Sequence, residues 1–236
     1  MRKIIRKKKI IHKKKIISFS LWGDQSKYTI GALCNAELAK IIYPGWICRF
    51  YCGESTPQYI IDQLKNYDNT EVIKMKEDNR RSYMIWRFYP ADDEDVEIFL
   101  SRDADSRLSY RERYCVDIFE KSDYLVHSIR DNINHGELMG GMWGMKKNNR
   151  VRIKDLLNDF KGNLDYDQDQ IFLRHILGPY YQDSTLTHCS TRLENFPLET
   201  DTSKYNIVPL NENHKHFVGE IFCGSNYDRP YSHIFY

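Results

Sequence analysis

No apolar run in this chain approaches the roughly 20 residues that cross a bilayer, so a soluble, cytoplasmic protein is the expectation. The basic N-terminus lacks the continuous apolar core of a signal peptide. No two of the six cysteines, at positions 34, 48, 52, 115, 189 and 223, show the Cys-x2-Cys spacing of a zinc site. Their scatter predicts thiols in a reducing compartment. The turn Leu21-Trp-Gly-Asp-Gln-Ser26 carries neither the dinucleotide fingerprint nor a phosphate loop, which disfavours a Rossmann dehydrogenase or a P-loop enzyme.

Acid is also missing from the first fifteen residues, MRKIIRKKKIIHKKK, which hold nine of the 35 Lys and Arg. That leaves 26 basic against 33 acidic residues, a net of −7, for the remainder. A mildly acidic body with a basic head is not the footprint of a nucleic-acid-binding domain. The sequence therefore divides into a head, 1–15, expected to be a disordered solvated tail or an electrostatic anchor for anionic surfaces, and a single domain, 16–236.

What is present is a regular alternation of strand and helix. Ile16–Trp22 reads as a strand ended by Gly23. Thr29–Tyr43 has helical spacing with Pro44-Gly45 as its stop. Trp46–Cys52 is strand-like, Thr56-Pro57 opens a helix, and Thr70–Met75 is a third strand. This β-α-β-α-β order argues an α/β fold with a mostly parallel central sheet and flanking helices. Arg80–Tyr89 is an aromatic-rich helical approach to the next strand. Arg87 is its candidate functional residue, with an ion pair to Asp92 or Asp93 as the alternative.

The centre of the chain is Val96–Arg113. Val96, Ile98, Phe99 and Leu100 make a buried strand. Ser109 with Glu112 forms a capping-box pattern that starts a helix at Tyr110. Between them lie Asp103 and Asp105. Asp-x-Asp also occurs at 93/95, 165/167 and 167/169, so the pattern alone says little. Position distinguishes this copy: open α/β sheets place their ligands at the carboxyl ends of their strands. Residues i and i+2 share a side at roughly 7 Å. Two carboxylates so held invite a hard divalent cation such as Mg²⁺ or Mn²⁺, with a solvated loop as the alternative. The flanking Arg102 and Arg107 suit a metal bound together with a diphosphate.

Further on, Tyr124–Ile129 reads as a short strand. Asp131–Met145 is glycine-rich, and Trp143 there is either an aromatic platform for a sugar ring or core filler. Val151–Phe160 and Asp167–Leu177 read as amphipathic helices, the second with Asp167 and Gln170 as its capping pair. The last fifty residues carry His188, His214 and His216, then a strand-like Phe217–Cys223.

Six of these stretches occur in one order: Leu100-Ser-Arg-Asp-Ala-Asp-Ser-Arg107, Ile129-Arg-Asp131 with His135, Gly140-Gly-Met-Trp-Gly144, Asp169-Gln-Ile-Phe-Leu173, Thr187-His188 and Phe217-Val-Gly219. In that order they resemble small GT-A-fold, DxD-containing glycosyltransferases of the bacterial and giant-DNA-virus type. The resemblance runs from about Ile16 to Cys223 and leaves out the basic head. It implies a GT-A-like domain, a nucleoside-diphosphate sugar donor, a glycan, protein or lipid acceptor, and Mn²⁺ or Mg²⁺. Within it, Asp103 would face the ribose or the metal, Asp105 would hold the metal, and His188 would be a third ligand. Arg130 and Asp131 would contact donor hydroxyls or phosphate, Gly141 and Trp143 would shape the sugar pocket, and Asp169 would sit at the reacting carbon or acceptor hydroxyl. Asp131 is the next candidate for the catalytic carboxylate.

Two other classes compete. A metal-dependent nucleotidyl- or phosphotransferase would use the same carboxylates, although its phosphate-binding lysine or glycine-rich loop is not visible. A non-catalytic polyanion-binding module would work through the head.

Overall fold

The computed structural model describes residues 13–78, 82–132, 134–136, 138–161, 167–190, 205–207 and 217–222. His214, His216, Asp165, Cys223 and the head up to residue 12 lie outside them. Eight strands form one sheet in the order β3-β2-β1-β4-β6-β5-β7-β8. These are β1 Lys14–Leu21, β2 Ile47–Gly53, β3 Thr70–Met75, β4 Val96–Arg102, β5 Val126–Arg130, β6 Met142–Lys146, β7 Thr185–Cys189 and β8 Tyr205–Ile207. Pairing is parallel except at β6, which runs antiparallel to both β4 and β5. The expected α/β architecture, mostly parallel with flanking helices, is the one observed.

The helices are α1 Ser26–Ile42, α2 Gln58–Lys65, α3 Tyr110–Lys121 and α4 Ile153–Asp159, followed by a run made of α5 Gln168–Ile171, a π turn Phe172–Leu177 and α6 Gly178–Tyr181. Tyr83–Asp92 is a 3₁₀ helix. Both faces of the sheet are covered, and the period-2 alternation of β1 shows how. Ile17, Phe19 and Leu21 pack with Ala32 and Ala36 of α1, Leu64 of α2 and Phe119 of α3. Ile16 turns to the opposite core, with Ile85 and Phe88 of the 3₁₀ helix, Phe99, Trp143, Leu157 and Phe172. Burying both faces is why the central strands read as continuous apolar runs.

From β1 the chain builds outward to β2 and β3, then returns to lay β4 on the other side of β1. That reversal opens a crevice at the carboxyl ends of β1 and β4, where doubly wound sheets bind ligands. Asp103 follows β4 directly.

Four expectations need correction. β1 begins at Lys14, two residues inside the basic head. Lys14 pairs with Glu71 (2.7 Å) and Asp95 (3.1 Å), and Lys15 pairs with Glu120. Trp143 is not a platform: it sits in β6, fully buried, with Phe88 and Phe99 edge-on at 5.1 Å each. Asp167 makes no side-chain cap. Its backbone is left-handed (φ 73°), and Asp is one of the few non-glycine residues that tolerate this. Finally, Phe217–Glu220 is a turn rather than a strand.

Candidate active site

The crevice is a pocket of about 880 Å³, within the range of small-molecule sites. Ser20, Leu21 and Trp22 enter it from the end of β1, and Asp103, Ala104 and Asp105 from the end of β4. Gly140 and Gly141 precede β6, Asp167 and Asp169 begin the last helical run, and Phe217–Ile221 closes one side.

Arg87 organises the floor. It is 5 % exposed, and its guanidinium bonds Asp103 through Nη1 and Asp169 Oδ2 through Nη2, the latter at 2.7 Å. Two carboxylates from distant parts of the chain thus share one cation. Behind them lie two glycines. A Cβ on Gly141 would stand 1.8 Å from Asp103 Oδ2, and one on Gly140 would stand 2.0 Å from Asp169 Oδ2. Only a residue without a side chain lets each carboxylate settle there.

The Asp103–Asp105 loop is held from below by α1. Asn35, fully buried, donates to the Ser106 carbonyl at 2.9 Å and accepts the Leu108 N–H at 3.0 Å. Gly31 lets α1 approach so closely that a Cβ there would be 1.9 Å from the Ala104 oxygen. Ser106 Oγ donates to the Asp103 carbonyl at 2.9 Å. Asp105 lies 3.4 Å from Lys27 Nζ. Burial, and then the neighbouring Asp103 charge, hold its carboxyl above the usual aspartate value.

The structure brings together Asp103, Asp105, Arg87, Gly141 and Asp169. It leaves out the other sequence candidates. Asp131 does not line the pocket. Arg111 grips it with two bonds of 2.6 Å, and it accepts the Val218 N–H at 2.9 Å, so its oxygens are committed to holding α3 and the 217–222 turn. Arg130 points its Nε at the His135 carbonyl, 2.9 Å away. His188 is fully buried in β7, with Nδ1 2.9 Å from His127 Nε2, away from the pocket. It cannot complete a metal site with Asp103 and Asp105, and among the described residues no three His, Cys, Asp or Glu cluster as metal ligands. Arg102 faces the core, bonding Glu112 and the Trp143 carbonyl. Arg107 lies over the Phe222 ring at 5.1 Å.

Sequence reasoning missed Asn35 and the aromatic wall, and it named Gly140 and His135 only within motifs, without a role of their own. In that wall Trp22 stacks with Tyr28 at 6.5 Å and meets Tyr83 edge-on at 5.8 Å. The available signal for Trp22 was its place directly after a central strand. Asn35 stood out only as a lone amide on the alanine-rich buried face of α1.

The fit of a divalent ion can be judged from the charges. The described lining carries five carboxylates, Asp103, Asp105, Asp167, Asp169 and Glu220, and Arg87 is its sole Arg or Lys. Such a pocket repels a diphosphate unless a cation bridges them. Asp103 and Asp105 supply two hard oxygen ligands, consistent with an ion that completes its shell from phosphate and water.

No family model and no curated protein matches the chain. Solved structures are similar to it at low identity. The galactosyltransferase LgtC in complex with donor and acceptor sugar analogues overlays at 14% identity and TM-score 0.47, covering 74% of this chain and 73% of that one. A glycosyltransferase involved in glycosylation of the major capsid of PBCV-1 overlays at 14% and 0.46, covering 76% and 83%. A cytidylyltransferase from Leptospira borgpetersenii overlays at 13% and 0.45, covering 83% and 79%.

Proposed function

We propose that the pocket binds a nucleoside-diphosphate sugar with Mn²⁺ or Mg²⁺ and transfers the sugar to a hydroxyl acceptor. The observation that carries this reading is the Arg87 bridge. It joins the Asp103–Asp105 pair at the end of β4 to Asp169, a second carboxylate on a separate element. Glycosyl transfer needs those two functions side by side: one where the diphosphate leaves, another where the sugar carbon reacts.

Asp103 and Asp105 would hold the ion. When bound, it supplies positive charge beside the leaving diphosphate. Arg87 fixes the orientation of Asp103 before the donor arrives, so that carboxylate need not reorganise. Asp169, with its side chain 4 % exposed, is held by the same guanidinium. In this reading it takes the acceptor's proton or steadies positive charge at the reacting carbon. The aromatic wall offers a flat apolar face to a base.

The nucleotidyl-transfer alternative would put attack at a phosphate, where lysines or a glycine-rich loop normally gather charge. The described lining has no lysine, and Lys27 beside it is paired with Asp105 at 3.4 Å. Product analysis tests the choice. Incubated with a panel of nucleoside-diphosphate hexoses and Mn²⁺, the protein should release nucleoside diphosphate and sugar, and should not do so in chelator. Formation of sugar 1-phosphate and nucleoside triphosphate with added pyrophosphate would overturn it. Salt-sensitive polyanion binding with no turnover would favour the head as the working part.

A further inference from the structure

His135 lines the pocket and belongs to none of the groups used so far. Its Nδ1 accepts the backbone N–H of Asp131 at 3.1 Å. A neutral imidazole with Nδ1 as acceptor carries its proton on Nε2. Nε2 makes no hydrogen bond to a described residue and is not among the sealed, unpartnered buried atoms. It is the nitrogen left for a ligand.

The ring is held from two sides by one residue. The Asp131 N–H sets the tautomer. The Asp131 carboxylate holds the Val218 N–H at 2.9 Å, and the adjoining Phe217 ring packs edge-on against His135 at 5.4 Å. Arg111 fixes that carboxylate in turn. Burial pushes the histidine down to about 4, the Arg130 charge adding to it and Asp131 opposing it, so the ring is neutral near pH 7.

A neutral, fixed N–H suits a hydroxyl oxygen, whereas a diphosphate calls for Arg or Lys. The same lining offers further neutral N–H donors, Asn132, Asn134 and Gln170. Resting on the glycosyl-transfer reading, we infer that His135 is a specificity-determining residue whose Nε2–H donates to a hydroxyl of the donor sugar, held in place for that contact by Asp131.

Calorimetry with Mn²⁺ tests this, using the uridine, guanosine, cytidine and thymidine diphosphates and their hexose conjugates. His135→Asn keeps an amide oxygen for the Asp131 N–H, but its own N–H groups do not reach as far as Nε2–H did. His135→Gln can place an amide N–H where Nε2–H stood. His135→Asn should bind the free diphosphate within twofold of the parent protein and its conjugate about tenfold more weakly, and His135→Gln should recover most of that loss. Equal losses for free and conjugated diphosphate would mark the residue as structural and overturn the inference. So would an unchanged His135→Asn, or a His135→Gln as weak as His135→Asn. Failure of the underlying reading looks different: the parent protein itself would bind no conjugate better than its free diphosphate.

Discussion

Gly140 stands against Asp169 with no room for a methyl group. A Cβ there would be 2.0 Å from Oδ2 and 2.5 Å from Arg87 Nη2. Gly141 stands in the same relation to Asp103. Each glycine therefore backs a different carboxylate, and substitution should separate their tasks. Gly141→Ala should weaken Mn²⁺-dependent nucleoside-diphosphate binding. Gly140→Ala should weaken that binding less than Gly141→Ala does, reaching Asp103 only through Arg87, but should lower turnover by about a hundredfold, the scale expected when a reacting group moves by an ångström. Both variants should stay folded, at about 1–3 kcal/mol lower stability, because the clashing atoms are side-chain ends that can move. Binding and turnover measured on both variants would check this; equal loss of both activities in both would contradict it.

Local features of this site were legible in the sequence, and long-range ones were not. Asp103 and Asp105 could be read because a buried strand precedes them and Ser109 caps the helix that follows, accepting the Glu112 N–H at 3.3 Å. Even there the pattern misled in part, since the Glu112 carboxylate bonds Tyr43 and Arg102 instead of closing a capping box. The Arg87–Asp169 pair spans 82 residues, and no spacing rule reaches that far. Trp143 was ambiguous because its glycine-rich strand is buried on both faces and lacks the alternation that marks a solvated one. His188 was ambiguous because a strand's alternation does not reveal which wall a residue faces.

Arg87 should be costly to remove alone and less costly to remove with its partner. Arg87→Met strands the buried Asp169 carboxylate, and breaking a buried pair typically costs about 3–5 kcal/mol. Arg87→Met with Asp169→Asn removes that charge and should recover a substantial part. Urea unfolding of the two single variants and the double variant gives the coupling. Additive losses would mean that the two groups do not interact.

Acid should destabilise the fold through its buried histidines. His127 and His188 face each other in β5 and β7, and Phe119 stacks on His127 at 4.9 Å. Burial, helped by the His188 and Arg102 charges, holds His127 well below the usual value, and burial pushes His188 down to about 4. His135 lies at about 4 as well. The unfolded chain takes up these protons first, near pH 6.5, so their contribution is intact above that value and is lost as pH falls toward 4. The slope should reach up to about 1.4 kcal/mol per pH unit for each histidine. Urea unfolding at pH 7.5 and 5.0 should show the loss, and a His127→Leu/His188→Leu variant should show a smaller one. An equal loss in that variant would place the acid sensitivity elsewhere.

Asp105 is where stability and function should part. Its side chain is 8 % exposed and faces the charge of Asp103, its ion pair with Lys27 is at the long distance of 3.4 Å, and the Arg107 charge also reaches it. The fold therefore disfavours the charge that a metal site requires. Asp105→Asn keeps the shape and removes the repulsion, at the loss of a weak, partly exposed ion pair. The unfolding midpoint should be unchanged or higher. Mn²⁺-dependent binding of a nucleoside diphosphate should fall below detection by calorimetry, and donor turnover should fall with it. A variant that unfolds earlier than the parent protein would show Asp105 to be structural. One that keeps its Mn²⁺ dependence would remove Asp105 from the metal site and leave Asp103 and Asp169, joined through Arg87, as the remaining carboxylate pair.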